Sequence, residues 1–152
     1  MAYEDLIKRR IIEPCTVSKG ELTEHLRVAK HDASVAQDIA TIDLDWAFTV
    51  AYNGILQTAL SYMYFQGYRP RGEGKHLNTF RFLRAALPES YEREINRLQK
   101  LRRKRNMAVY QKRGTVTEKE AMDIIKFAEK FFKEILDLLP KEYKRLLKKA
   151  EE

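Results

Sequence analysis

The chain predicts an all-α protein: an antiparallel bundle of four or five main helices, with short helices at its ends. Three observations carry that expectation. Of its 152 residues 44% are hydrophobic and 34% charged, while six are glycine and four proline, a balance that suits long amphipathic helices better than a β sandwich. Apolar residues recur at spacings of three and four through several long stretches, the period that turns them to one face of a helix. Twice, at Ser18 with Glu21 and at Thr117 with Glu120, a hydroxyl residue is followed three positions later by glutamate, the spacing of a reciprocal cap at a helix start.

A first helix is expected from Tyr3 to about Ile12, stopping ahead of Pro14 because the residue before a proline is pushed out of the helical region. Ser18 opens a second, to about Ile39. Asp43 or Asp45 caps a third, which carries Trp46, Val50, Leu56, Leu60, Met63 and Tyr64 through to Gln66, so that the second and third form a hairpin. "GYRPRGEGKH", residues 67–76, holds three glycines and a proline and reads as the one substantial loop. A helix from about His76 to Leu87 ends at Pro88. From Pro88, tolerated at a helix start, a long helix bearing Tyr91, Ile95, Leu98, Leu101 and Ala108 runs to about Gln111, with Gly114 marking its end. Thr117 caps a strongly apolar helix through Met122, Ile125, Phe127, Ala128, Phe131, Phe132, Ile135 and Leu138 as far as Pro140. A short basic helix from Glu142 to Ala150 closes the chain. Residues 1–152 read as a single domain, long enough to bury a core without a disulfide or structural metal.

Several classes of function are set aside by composition. Cys15 is the single cysteine and can close no intramolecular disulfide, and "MAYEDLIKRR" has no apolar stretch long enough for a signal peptide or membrane helix. A cytoplasmic protein with no membrane association is expected. His25 and His31 are six apart, and the Glu-x-x-His run from Glu73 to His76 lies in the glycine loop, so no metal or other cofactor is expected. Cys15, beside Pro14 and without an identifiable His partner, gives a thiol nucleophile little support. Asp43 and Asp45 read as helix-start residues rather than a catalytic carboxylate pair. The aromatics Trp46, Tyr52, Tyr62, Tyr64, Phe65, Phe127, Phe131 and Phe132 read as core and subunit-interface packing.

The charge pattern is more informative. Formal net charge is +7, and between Ile95 and Val116 stand eight basic residues, Arg97, Lys100, Arg102, Arg103, Lys104, Arg105, Lys112 and Arg113, with no acid among them. Outside that stretch acids and bases nearly cancel, so the positive charge is concentrated, as an electrostatic site for phosphate requires. On an ideal helix Arg103, Asn106 and Tyr110 share a face. Arg105 instead falls on the row of Leu98, Leu101 and Ala108 that packs inward, and a guanidinium there needs a carboxylate, a phosphate or a second subunit against it. Arg69, Arg71 and Lys75, from the glycine loop, widen the basic surface. His76, at the junction of loop and helix, is the candidate acid or base of the chain; the competing reading is a capping or surface histidine.

Three stretches in this order, "DWAFTVAYNGILQTALSYMYFQGYRP", "GEGKHLNTFRFL" and "LRRKRNMAVY" leading into a capped apolar helix, resemble the HEPN superfamily, small all-α domains of toxin–antitoxin and antiviral RNA-processing systems. The resemblance covers about residues 20 to 138. Active members carry an Arg, often followed by Asn, and then a His four to six residues on. Arg105 and Asn106 match the first two, Arg103 also fits the spacing, and Tyr110 stands where the His would be. The resemblance implies an RNA-binding homodimer in whose cleft Arg105, Asn106, Tyr110 and Arg103 serve a metal-independent ribonuclease, made weak or degenerate by the tyrosine. Arg97, Arg102, Lys104, Lys112, Arg113, Arg69, Arg71, Lys75 and His76 would add nucleic-acid contacts. A nucleotidyltransferase-type antitoxin is the implied protein partner, although the tyrosine that such enzymes modify in some family toxins is replaced by Lys112. The alternative is a non-catalytic interaction module that binds a nucleotidyltransferase-like protein.

Overall fold

Helix boundaries follow from local chemistry in most places, and where they do not a backbone break explains it. In the computed structural model, which describes residues 2–152, helix α1 spans Ala2–Lys8. It stops short of the expected Ile12 because Arg10 takes a left-handed φ of 58°. The chain then extends as strand β1, Ile12–Pro14. Ser18 caps α2, Lys19–Ile39, its Oγ accepting from the Glu21 N–H at 3.1 Å. A short turn leads to Asp43, whose carboxylate accepts from the Trp46 N–H at 3.0 Å and starts α3, Leu44–Phe65. The glycine loop is not all loop. Tyr68–Pro70 forms β2, antiparallel to β1 with Glu13 opposite Arg69.

Helix α4 spans Lys75–Ala86. The expected long helix from Pro88 to Gln111 is three pieces: a 3₁₀ turn at Glu89–Tyr91, α5 at Glu92–Asn106, and a π turn at Met107–Gln111. The π turn closes with the Lys112 N–H donating to the Met107 carbonyl at 2.8 Å. Gly114 follows at φ 79°, a conformation that costs glycine little. Thr117 and Glu120 exchange both bonds of a capping box at the head of α6, Glu118–Leu138, and α7, Glu142–Ala150, ends the chain.

With 76% of the chain helical, the all-α expectation holds and the small sheet is an addition to it. Helices α2, α3 and α6 pack on one another; α4 and α5 lean on α3, and α7 lies on α2. Gly54 permits the α2–α3 approach, since a Cβ there would sit 3.1 Å from the Ala29 carbonyl oxygen and 3.2 Å from the Ala33 nitrogen. Tyr52, Phe48, Phe80, Phe82, Phe131 and Leu98 are fully buried, and each such side chain removed from water contributes about 1.5–3 kcal/mol. Tyr143 and Leu147 are buried too, so α7 is docked rather than frayed. Among the described residues no helix is long and apolar enough to cross a membrane.

One helix-start residue has a second use. Asp43 is the cap, while Asp45, 7% exposed, turns its carboxylate to the Gly114 N–H at 2.5 Å and the Val116 N–H at 3.4 Å. That bond ties the turn after α5 to the first turn of α3, so the end of the basic helix is held in place by an acid far away in sequence.

Candidate functional site

The site is assembled from four helices. Tyr52, in the buried stripe of α3, is 1% exposed, and a phenol so deep needs a partner for its hydroxyl. It finds the Nδ1 of His76, at the start of α4, at 3.2 Å. The next residue of α3, Asn53, donates from Nδ2 to the Asp32 carboxylate of α2 at 2.6 Å. Arg105 reaches in from the last turn of α5. Together Asp32, Tyr52, Asn53, His76 and Arg105 line a cleft of ≈340 Å³.

Arg105 is held by rings and an amide rather than by a carboxylate. Its guanidinium carbon lies 5.8 Å from the centre of the Tyr52 ring and 5.4 Å from that of Tyr110, and Nη1 donates to the Asn106 side-chain oxygen at 3.1 Å. Its Nε is buried without a hydrogen-bond partner among the described residues. Aromatic faces attract a cation, yet they leave its N–H groups unspent. The π turn makes this arrangement, because its wider coil brings Tyr110 over Arg105. Of the three residues expected to share a face, Arg103 is exposed, Asn106 accepts from Arg105, and Tyr110 is 71% exposed with its ring against the guanidinium.

Electrostatics separate the roles of these groups. Burial lowers the pKa of His76 below the usual imidazole value, and the positive charges of Arg105 and Arg102 lower it further. Burial raises that of Tyr52 strongly, with the same two arginines opposing. At neutral pH the Tyr52–His76 pair is therefore uncharged, and the cleft's positive charge resides in Arg105, with Arg102 near enough to be felt.

The remaining basic residues divide into several groups. Lys104 donates to the Thr115 carbonyl at 3.0 Å and pairs with Glu120 at 3.4 Å, so it ties α5 to the cap of α6. Arg113 pairs with Asp45 at 3.5 Å and lies 5.0 Å over the Trp46 ring. The acid-free run is thus partly neutralised by acids from other helices, which the sequence separation concealed. Arg97 stacks on Phe127 at 4.5 Å in a separate groove between α5 and α6. Arg69 pairs with Glu13 at 2.8 Å across the small sheet, and Arg71 approaches the same carboxylate at 4.0 Å. Lys75 and Arg69 line a second cleft that shares His76 with the first. Lys112 is exposed. Cys15 is partly buried, and burial raises its thiol pKa, which works against a nucleophilic role.

Of the residues expected to act together, the structure brings Arg105, Asn106, Tyr110 and His76 to one place. It adds Tyr52, Asn53 and Asp32, which sequence reasoning assigned to packing or passed over. The available signal was the adjacent pair Tyr52–Asn53, two polar-tipped residues in the middle of a helix that packs in the core, each of which needs a partner when buried. Among the described residues no three His, Cys, Asp or Glu side chains gather as for a metal ion. The fold and the site define a helical bundle with a cationic cleft at the end of its basic helix. No family model matches the chain, and no curated protein matches it significantly.

Proposed function

We propose that this chain is a HEPN-type RNA-binding domain of a toxin–antitoxin or other defence system, acting as a homodimer, with weak metal-independent ribonuclease activity in the cleft. The observation that carries the reading is Arg105: a guanidinium lining a cleft, held by two tyrosine rings and an amide, with no carboxylate paired to it among the described residues. An RNA phosphate supplies the acceptor oxygens such a group lacks, and a charge-assisted bond of this kind contributes about 1.5–3 kcal/mol. Exposed Arg103 and Lys112 and partly buried Arg102 belong to the same basic stretch as Arg105 and would add phosphate contacts.

The test is RNA binding measured against rising salt. Several phosphate contacts should make affinity fall steeply, with a logarithmic slope of about −0.7 per neutralised phosphate for a single strand, and two chains should be found per saturated RNA. Arg105→Ala should weaken binding by about 10- to 100-fold. A flat salt response sinks the RNA-binding reading.

A second reading is favoured by a different observation. Ile42 is 86% exposed, Trp46 47%, Met107 41% and Tyr110 71%, large apolar or aromatic side chains that meet solvent. A non-catalytic interaction module, meeting a nucleotidyltransferase-like protein, would cover them. Tight, salt-insensitive association with such a protein and no RNA affinity would select this alternative.

A further inference from the structure

We infer that His76 is the proton-transfer residue of the cleft and Tyr52 its positioning residue, replacing the histidine that Tyr110 displaces from the helix bearing Arg105. The inference rests on the ribonuclease reading above. Its grounds are geometric. His76 is the one histidine that lines the Arg105 cleft, on a helix separate from the one that carries the arginine. Its Nδ1 lies 3.2 Å from the Tyr52 hydroxyl, and in the tautomer whose Nδ1–H donates to that oxygen the ring is held while Nε2 keeps the lone pair that takes a proton. The Tyr52 ring lies 5.8 Å from the imidazole and 5.8 Å from the Arg105 guanidinium, so one buried side chain sets the distance between base and cation.

Tyr110, in contrast, is 71% exposed, and a phenol is a poor general base beside an imidazole. His76 is poised differently. On one side it faces Asp32, Tyr52, Arg102 and Arg105, and on the other Tyr64, Arg69 and Lys75. Burial and the two α5 arginines keep it neutral, hence able to accept a proton.

With RNA in the cleft, Nε2 of His76 takes the proton of a ribose 2′-hydroxyl. The 2′-oxygen forms a bond to the adjacent phosphorus, the bond from phosphorus to the 5′-oxygen breaks, and that oxygen takes a proton from water. Arg105 neutralises the charge that gathers on the phosphate oxygens. The products are a 2′,3′-cyclic phosphate and a 5′-hydroxyl, and the imidazolium returns its proton to solvent.

The experiment uses the whole chain, a chelator, and a single-stranded RNA beside the same oligonucleotide with 2′-deoxyribose. The native chain should cut only the RNA and leave 2′,3′-cyclic phosphate ends. His76→Gln should lose at least 100-fold in kcat, far more than it loses in RNA affinity. Tyr52→Phe keeps the ring and removes the hydroxyl; it should lower kcat with little change in KM and move the acid limb of the pH profile. Arg102→Gln should move that limb toward higher pH. Binding without cleavage by the native chain, or undiminished cleavage by His76→Gln, overturns the assignment while the RNA-binding reading stands. Failure to bind RNA at all overturns that reading instead.

Discussion

Arg105 and Asp45 show how single charged residues serve opposite ends in this molecule. Asp45 is spent on structure: both its oxygens accept backbone N–H bonds from the turn at Gly114 and Val116, and Arg113 pairs with it. Arg105 lies against two tyrosine rings, with an Nε that has no partner among the described residues. The consequences of substitution should therefore differ in kind. Asp45→Ala should destabilise the fold by about 1–3 kcal/mol in denaturant unfolding, because it leaves the buried Val116 N–H and the Gly114 N–H without their acceptor. Arg105→Ala should affect ligand binding much more than stability. A comparable loss of folding free energy in both variants would show that Arg105 is structural after all. Asp45 also illustrates what sequence reading misses. Its position beside Asp43 suggested a helix start, and nothing local points to partners some seventy residues later.

At the scale of elements, two features position the cleft. The first is the close crossing of α2 and α3 at Gly54, which aligns Asp32 with Asn53. Gly54→Ala would press a methyl group on the backbone of α2, and should cost about 1–3 kcal/mol in thermal or denaturant unfolding. An unchanged stability would mean that the two helices part freely. The second is the π turn at Met107–Gln111, which re-registers the end of the basic helix. The periodicity that placed Leu98 and Ala108 inside was legible and correct, since both are fully buried. It could not foresee the extra residue in the turn, because a π turn has no periodicity of its own over so short a stretch and depends on what holds its ends, here Asp45 and Lys104.

For the whole molecule, acid sensitivity follows from His76 and Glu120. The His76 pKa is lowered in the fold, chiefly by burial and then by Arg105 and Arg102, so the unfolded chain binds that proton more readily. Its contribution to stability is present above about pH 6.5 and is lost as pH falls through the folded value. Glu120 is also lowered, first by the Thr117 backbone bond, and its contribution is lost at more acid pH. Unfolding free energy should then decline in two stages as pH drops below about 6.5, and His76→Gln should flatten the first stage alone. A variant that declines just as the native chain does would place the titrating group elsewhere.

What the amino-acid order determined by itself was mainly local and periodic: the helical class, the caps at Ser18 and Thr117, the buried stripe of the apolar helices, and the concentration of positive charge ahead of Val116. These depend on residues within a turn or two of one another. Tertiary structure decided which charges stay available. It brought Glu120 to Lys104 and Asp45 to Arg113, paired Ile12–Pro14 with Tyr68–Pro70, and set Tyr52 and His76 beside Arg105. Those pairings join residues far apart along the chain, and their worth depends on burial, which only the packed helices create.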